Sequence, residues 1–530
     1  SKQRTLLYLR IHLYDCLFRT CLLGAETWKI KYSSIIMKTP IQLSQQNLSE
    51  IKSSIPVPNY NRAANKTGIV HIGVGGFHRA HQAYYLHQLR QLGEASDWNI
   101  CGIGLREADS KLHNIFKKQD YLYTLMVKHP DGKIEPEVIG SIIDFEMGTS
   151  NPESVIARMA NADTRIVSLT ITEGGYNFNS TTGDFNFDNP DIQHELQIPQ
   201  DPKTVYGFLT AALKRRRDSG LPAFTILICD NIEHNGDMAR KMLLTFANAQ
   251  DADLAEWIAK EVCFPNSMVD RITPVTTKAD IEILEQTYGV KDEWPVTCEP
   301  YIQWVVEDKF SNGRPEFEKV GVQFVPDVGP YEKMKLRLLN AGHSVLGLLG
   351  AIHGHPTINA CIEDETFATY LRAFMDKEAT PVLGDIKGIN LEDYKDSLLE
   401  RFGNPNIKDS VGRICMESSA KLPKFLIATI HENLATGGSI KFATLVIAAW
   451  CYYSDKSIDR HGHPIEVVDA MSSELHQAAK QTETDPLAFI RQESIFGNII
   501  ENERFTKLYT ITVQKIYNNT NIKKYMLEMI

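Results

Sequence analysis

The chain has 530 residues, which is too long for one ordinary core and predicts two domains. Its content of hydrophobic residues (43%) and charged residues (23%) is typical of a globular protein. The formal net charge of -10 argues against nucleic acid or a membrane surface as a partner, because both select basic proteins. No apolar run reaches the length of about 18 residues that a membrane-spanning helix needs.

Nine cysteines are scattered along the chain and include no Cys-x-x-Cys pair. The sequence therefore predicts neither a disulfide framework nor a structural zinc site built from thiolates. Unpaired thiols are typical of a reducing compartment, so we expect a cytoplasmic protein.

The N-terminal segment differs in character from the rest of the chain. Residues 1–36 contain no methionine, and Met37 opens a more ordinary sequence. The apolar residues between positions 6 and 23 are interrupted by charges, which is unlike a secretory signal. We predict that residues 1–44 form a poorly ordered extension and that the natural start is Met37.

Strands and helices alternate from residue 68 onwards. Short, buried-looking apolar runs occupy 68–72, 99–105, 164–171 and 224–229, and a helical pattern occupies 77–92. Strands separated by helices predict a doubly wound parallel sheet. We expect the segment 138–145 to be a further strand of that sheet, within a dinucleotide-binding domain that covers residues 45–325.

After about residue 330 the pattern becomes almost entirely helical. The predicted helices are 331–349, 364–378, 391–401, 422–435, 440–453 and 467–481. The fold class is therefore an α/β N-terminal domain followed by a mostly α-helical C-terminal domain, residues 326–530, which we expect to bind substrate.

A glycine-rich loop follows the first predicted strand directly and opens the next helix. Such a loop lets backbone amides approach a pyrophosphate at the positive end of a helix. His78 stands where the usual third glycine is expected, and His78 and His81 are better explained as lining a cofactor than as metal ligands. The predicted cofactor-binding residues of this loop are Gly73, Gly75, Gly76, Phe77, His78 and Arg79.

The second strand is followed by Arg106, Glu107 and Asp109. An acidic side chain at this place binds the adenine ribose hydroxyls and repels a 2′-phosphate. Glu107 and Asp109 therefore favour NAD over NADP, whereas Arg106 would suit the phosphate and leaves the alternative open.

Lys335, Asn340 and His343 occur in a Lys-x4-Asn-x2-His spacing within an apolar segment. On an ideal helix Lys335 and His343 lie roughly 80° apart, with Asn340 about 60° further on, so all three can face one pocket. A desolvated lysine is a base near neutral pH, and an asparagine amide can stabilise an alkoxide. These are groups that alcohol oxidation needs, although each residue taken singly is also compatible with a structural role.

The glycine-rich loop and the Lys-x4-Asn-x2-His group together resemble the long-chain polyol dehydrogenase/reductase family. Further blocks that resemble the family lie at 172–176, 229–231, 298–304 and 419–425, and the similarity covers about residues 45–515. The segment 516–530 departs from the family, and we expect it to be frayed. The resemblance implies a Rossmann-type domain and a helical domain with the active site between them.

The resemblance also implies roles for individual residues. Lys335 is expected to be the general base, Asn231 and Asn340 to form the oxyanion hole, and His343 to bind substrate. Glu332 is expected to gate proton exchange, although a simple Glu–Lys pair on one helix face would explain it equally well. Further expected contacts are Asp270, Arg413 and Lys421 with the substrate and Glu173 with the cofactor.

The activity implied by the resemblance is reversible, zinc-independent oxidation of D-mannitol to D-fructose with NAD by a monomer. The alternatives in the same family are a fructuronate reductase and dehydrogenases of arabinitol or sorbitol. A uronate substrate would require a cation for its carboxylate, and Arg413 could provide it. A non-enzymatic NAD sensor on the same fold is the alternative from another class.

Overall fold

The computed structural model describes residues 39–63, 66–179, 182–518 and 521–530. Met37 and the rest of segment 1–38 lie outside the described residues. The last part of the predicted extension is described, and it belongs to the fold. Strand Ile41–Gln42 pairs with Val290–Lys291, and Leu43 is fully buried, so the ordered chain begins before residue 45.

The β-strands of the described residues are numbered in chain order. They are β1 (Ile41–Gln42), β2 (Thr67–Ile72), β3 (Asn99–Gly104), β4 (Tyr123–Lys128), β5 (Ile134–Ile139), β6 (Ile142–Met147), β7 (Ile166–Leu169), β8 (Thr225–Ile228), β9 (Ser267–Asp270), β10 (Val290–Lys291), β11 (Val296–Cys298), β12 (Gln303–Glu307) and β13 (Gln323–Val325).

The main sheet has five parallel strands in the order β6-β3-β2-β7-β8, which confirms the doubly wound prediction. Every residue of β2, β3, β7 and β8 is buried, as expected for a parallel sheet with helices on both faces. Ile72 of β2 is in register with Ile103 on one side and Leu169 on the other.

The chain changes direction across the sheet beside β2, because β3 and β6 lie on one side of it and β7 and β8 on the other. Ligands of such sheets bind at this switch point, at the carboxyl ends of the strands. The predicted strand 138–145 was partly wrong. Residues up to Ile139 belong to β5, which pairs antiparallel with β4, and only β6 joins the main sheet.

The helices of this first part cover both faces of the sheet. They are Leu48–Ile51, Gly76–Ala80, Gln82–Gln91, Ser110–Lys118, Pro152–Ala160, Thr172–Gly175, Pro190–Gln197, Val205–Asp218, Asn235–Gln250, Ala252–Glu261 and Lys278–Tyr288. The predicted helix 77–92 is interrupted at His81, whose backbone angles are not helical. Two three-stranded sheets, β11-β4-β5 and β13-β12-β9, complete this part.

In the described residues of the second part, the regular elements are helices. They are Gly329–Met334, Ala341–His353, Ile358–Glu363, Glu365–Phe374, Leu391–Phe402, Val411–Cys415, Ser418–Leu422, Ala428–Thr436, Lys441–Lys456, Ser472–Ala479, Glu493–Phe496, Glu503–Tyr517 and Ile522–Met529. Three π-helical turns, Lys335–Asn340, Met375–Ala379 and Pro423–Ile427, each continue one helix into the next. The last helix before residue 481 starts at Ser472, later than predicted.

The C-terminal segment is folded, contrary to the prediction that it frays. Helix Ile522–Met529 buries Ile522, Tyr525, Met526 and Met529 against the helical core. The same core surrounds helix Ala341–His353, of which eleven residues are buried. No helix of the described residues is long and apolar enough to cross a membrane.

Candidate active site

A cavity of about 1410 Å³ lies between the two parts of the chain. The sheet-containing part contributes the loop after β2 and the carboxyl ends of β7, β8 and β9, and the helical part contributes Lys335–Asn340 and the segment 406–425. This volume exceeds that of most single-ligand pockets, so the cavity can hold two ligands side by side.

The loop after β2 has the shape that the sequence predicted. Gly73 has φ +94°, and a Cβ there would lie 2.1 Å from the carbonyl oxygen of Thr170, so only glycine fits. A Cβ at Gly75 would lie 3.8 Å from its nearest neighbour, so the missing side chain leaves open space for a ligand. Gly76 begins a helix at the cavity wall, and Phe77 also lines the cavity. This glycine-lined approach to a helix start fits a dinucleotide pyrophosphate.

The other predicted residues of the loop divide between cavity and core. His78 lines the cavity, stacks on His71 at 3.4 Å, and has two buried ring nitrogens without a partner. Arg79 points away from the cavity. Its guanidinium donates to the carbonyl of Trp294 and lies against aromatic rings in the core. The His81 ring is hydrogen-bonded to the carbonyl of Gln303 and is fully buried. The expectation that His81 lines a cofactor site is therefore wrong.

The acidic residues after β3 lie beside the cavity rather than in its wall. Arg106 lines the cavity, and its guanidinium is 2.9 Å from a carboxylate oxygen of Asp109. Glu107 is exposed. Glu173 does line the cavity, with its carboxylate 3.7 Å from the Lys424 amine of the helical part.

Lys335 belongs to the helical part, and its side chain reaches the carboxyl ends of two strands of the sheet-containing part. Its Nζ lies 2.7 Å from Asn231 Oδ1, just after β8, and 2.6 Å from the carbonyl oxygen of Val269 in β9. Burial lowers the pKa of Lys335, against the attraction of Asp270, so this amine gives up its proton more readily than an ordinary lysine. A neutral amine has two N–H groups and one lone pair. The two carbonyl acceptors hold the N–H groups, which leaves the lone pair for a substrate proton.

Lys335 and Asn340 are the first and last residues of a π-helical turn. The angles of an ideal α-helix therefore do not apply to this segment, yet both residues and His343 line the cavity. Such turns are frequent at functional sites. Asn340 Oδ1 is buried without a partner, and burial lowers the pKa of His343 to about 4, so this imidazole is neutral. A free acceptor and a neutral imidazole suit a hydroxylated ligand, which can both donate and accept.

Glu332 lies one turn before Lys335 and is buried. Its carboxylate accepts the backbone N–H of His234 at 3.3 Å, and the His234 ring is 3.7 Å away and largely exposed. Burial raises the pKa of Glu332 to about 7, against the opposing effect of the His234 amide. The side chain can therefore change protonation near neutral pH, between Lys335 and the solvent-exposed imidazole.

Asp270 does not face the cavity as a free carboxylate. Arg401 donates to both oxygens of Asp270, at 2.8 and 3.0 Å, and also to Glu299. Burial opposes the charge of Asp270, but the guanidinium outweighs it and holds the pKa of that carboxyl below its usual value. Sequence reasoning missed Arg401, because its partners lie 102 and 131 positions away and no local pattern marks it.

Arg413 and Lys421 both line the cavity, on the side of the helical part. Arg413 is largely exposed and forms a two-pronged ion pair with Asp409, which lies in the same wall. Burial lowers the pKa of Lys421, and Arg413 lowers it further. Both predicted substrate contacts are therefore within the cavity, but Arg413 is already neutralised.

Asp230 is a second residue that sequence reasoning did not single out. Its carboxylate accepts from the amides of Ile171 and Thr172 and from the Tyr176 hydroxyl at 2.5 Å. Thr172 has φ +62°, and Lys408 and Glu417, also in the cavity wall, have φ +52° and +53°. Strained backbone of this kind concentrates at ligand sites. The sequence feature that could have pointed to Asp230 is its position just after the apolar run that forms β8.

Family models match nearly the whole described chain. A model described as the mannitol dehydrogenase Rossmann domain matches residues 67–319, and one described as the mannitol dehydrogenase C-terminal domain matches residues 327–517. Mannitol 2-dehydrogenase of Neosartorya fischeri is 44% identical over 488 residues, which are 90% of this chain and 97% of that protein.

Two solved structures have the same fold. The ternary complex of Pseudomonas fluorescens mannitol 2-dehydrogenase with NAD and D-mannitol is 43% identical, with a TM-score of 0.82 over 92% of this chain and 100% of that one. A D-sorbitol dehydrogenase in substrate-free form is 35% identical, with a TM-score of 0.85 over 91% of this chain and 99% of that one. By its sequence and by its two matched domains, the chain belongs to the mannitol dehydrogenase family.

Proposed function

We propose that this chain catalyses the reversible, NAD-dependent oxidation of D-mannitol to D-fructose, with Lys335 as the general base and without zinc. The observation that carries the proposal is the buried Lys335 amine, which is held by Asn231 and Val269 in the wall of a cavity that the glycine-rich loop also lines. Relatives named mannitol 2-dehydrogenase, one of them complexed with NAD and D-mannitol, support the same substrate and cofactor.

NAD fits the wall formed by Gly73, Gly75, Gly76, Phe77 and His78, where space replaces side chains. When bound, NAD accepts the hydride from the carbon that carries the reacting hydroxyl. Glu173 lines the same side of the cavity and is proposed to contact the cofactor. Glu107 and Asp109 favour NAD, since Asp109 neutralises the Arg106 side chain that a 2′-phosphate would need.

Proton transfer follows from the hydrogen bonds of Lys335. The lone pair of the neutral amine accepts the hydroxyl proton as the C–H bond breaks. The side-chain amides of Asn231 and Asn340 donate to the developing alkoxide, and His343 binds a neighbouring hydroxyl. Glu332, with a pKa of about 7, is proposed to carry the proton onward to solvent past the exposed His234.

The charges of the cavity bear on the choice between a neutral polyol and a uronate. Arg413 is already paired with Asp409, so a uronate carboxylate bound there would compete with that side chain. Lys421 also lines the cavity, and its described hydrogen bond is to the carbonyl of Ile414, so the parallel assay with D-fructuronate decides between the two substrates. The NAD sensor alternative is disfavoured, because the proposed base and all three proposed donors line the cavity.

The test is NADH oxidation by the purified protein with D-fructose and D-fructuronate in parallel, followed by NADPH in place of NADH. We expect turnover on fructose with NADH, retained after exhaustive chelation. Preference for fructuronate would reassign the substrate, and activity restored only by zinc would contradict the metal-free mechanism.

The cellular location and the oligomeric state are also part of the proposal. Free thiols at the seven described cysteines are consistent with the expected cytoplasmic location. The monomeric state implied by the resemblance is tested by light scattering on the eluting protein.

A further inference from the structure

The sequence His-Gly-His-Pro occurs twice in the chain, at 353–356 and at 461–464. The two copies are 108 positions apart, yet the fold brings them together far from the proposed base. A Cβ on Gly354 would lie 2.9 Å from a ring carbon of His461, so the copies meet at the glycine of the first one. His353 is the last residue of helix Ala341–His353, which has His343 in its first turn.

Three potential metal ligands lie close together at this meeting point. The nearest ligand atoms of His353, His355 and Asp364 all lie within 4.8 Å of one another. The His353 and His355 rings have their centroids 4.6 Å apart, and the His461 ring is 6.1 Å from His353. Two imidazoles and a carboxylate are a common ligand set for zinc, and His461 is a further imidazole beside them.

The surrounding contacts hold this cluster in place. One oxygen of Asp364 caps the next helix by accepting the amide of Thr366, and the other lies 3.3 Å from His355 Nε2. Phe367 packs against both His353 and His355. The turn that carries His461 is tied to the helix end, since the amide of Arg460 donates to the carbonyl of Ile352 at 2.8 Å.

We propose that His353, His355 and Asp364, with His461 as the fourth ligand, bind a zinc ion that joins the two His-Gly-His-Pro segments. Zinc bonds of about 2.1 Å place ligand atoms about 3.4 Å apart, so the ligand atoms of His353, His355 and Asp364 have to close in by at most about 1.4 Å on binding. The carboxyl end of a helix also favours a cation. Ten residues separate His353 from His343, about 15 Å along the helix, so this zinc is structural and takes no part in the proposed oxidation.

Lys523 competes with the metal. Its amine lies 2.8 Å from the Asp364 oxygen that faces His355, and it belongs to the C-terminal helix Ile522–Met529. Zinc bound to this oxygen would draw off part of its negative charge and weaken its attraction for the amine. Metal binding therefore weakens an ion pair with the C-terminal helix while it closes the His-Gly-His-Pro junction.

The test uses the full chain without a histidine tag, stripped of metal and titrated with Zn²⁺ by calorimetry and with Co²⁺ by visible absorption. We expect one equivalent bound with micromolar or tighter affinity and a tetrahedral cobalt band. His355→Ala and Asp364→Asn, which keeps the helix cap, should each weaken binding more than about 100-fold, since even outer-shell partners contribute 10- to 100-fold. Lys523→Ala should tighten binding.

The matched control is His194→Gln, because His194 forms a comparable partly exposed pair with Asp201 in the sheet-containing part. It should bind zinc like the wild type. Circular dichroism confirms that each variant is folded, and turnover should be unchanged in His355→Ala. Absence of a tetrahedral cobalt band in the wild type, or folded His355→Ala and Asp364→Asn variants that bind zinc normally, would overturn the proposal.

Discussion

Lys335 and Arg401 are both buried cations of the helical part that reach the strand ends beside the cavity, and they are stabilised in opposite ways. The acceptors described for Lys335 are the neutral carbonyl dipoles of Asn231 and Val269. Arg401 has two carboxylates, Asp270 and Glu299. Burial therefore lowers the pKa of Lys335, whereas the carboxylates raise that of Arg401 despite burial.

Burial alone therefore does not decide the protonation state of a basic side chain. A buried cation beside neutral dipoles loses its proton more easily and becomes a base, while one beside carboxylates stays charged and fixes the positions of its partners. Lys335 thus provides a reactive amine in the cavity wall, and Arg401 fixes the position of Asp270, which lies in the same wall.

The largest expected effect comes from removing the amine. Lys335→Met keeps an unbranched buried side chain but should lower turnover at least about 10³-fold, because general-base catalysis contributes 10²- to 10⁴-fold and its hydrogen bonds are also lost. Steady-state rates measure turnover, and fluorescence titration should show nearly normal NADH binding. Turnover close to the wild-type value would refute the role of Lys335.

The next largest effect concerns Arg401. Arg401→Met should lower the free energy of unfolding by about 3–5 kcal/mol at pH 7, since it leaves Asp270 and Glu299 buried without their counter-charge. The pKa of Asp270 is held low in the folded wild type, so this stabilisation is present above its unfolded pKa and is lost as the pH falls through the folded value. Urea unfolding at several pH values should show the two proteins converging in acid. A constant difference across pH would argue against an ionic origin.

Glu332→Gln tests the carboxyl group between Lys335 and solvent. The pKa of Glu332 is raised to about 7, so the folded protein holds this proton more tightly than the unfolded chain does. The resulting contribution to stability is fully present below the unfolded pKa and is lost as the pH rises through about 7. Above pH 7 the glutamine variant should therefore be more stable than the wild type, by on the order of 2 kcal/mol. Unfolding curves at pH 4.5 and 8 measure the change. Equal stability at both pH values would mean that Glu332 titrates normally.

Arg413→Met is the matched control for Arg401 and should have the smallest effect. Its ion pair with Asp409 is largely exposed on the arginine side, and such pairs contribute about 0–1 kcal/mol. We expect little change in urea unfolding but a higher KM for the ketose, because the side chain lines the cavity. Destabilisation as large as that of Arg401→Met would remove the distinction between the two arginines.

Local patterns were enough for much of the fold. Buried apolar runs located four of the five strands of the parallel sheet, and periodic apolar residues located most helices of the second part. Both patterns depend on neighbours that are close in sequence. The boundary errors have the same physical origin. Residues 138–145 form one apolar stretch, but Gly140 and Ser141 divide it between strands of two sheets. The C-terminal helix was missed, since its stability comes from four side chains buried against a distant core.

The amino-acid sequence by itself determined the order of the elements, the glycine that must follow β2, and the spacing of Lys335, Asn340 and His343 on one helical segment. Tertiary structure alone decided the charge of each group, because pKa values depend on burial and on partners up to 131 positions away. It likewise paired Arg401 with Asp270, removed Arg79 from the cavity, and joined the two His-Gly-His-Pro segments across 108 positions. The partners in these contacts are close only in the folded chain, so no short stretch of the sequence contains both of them.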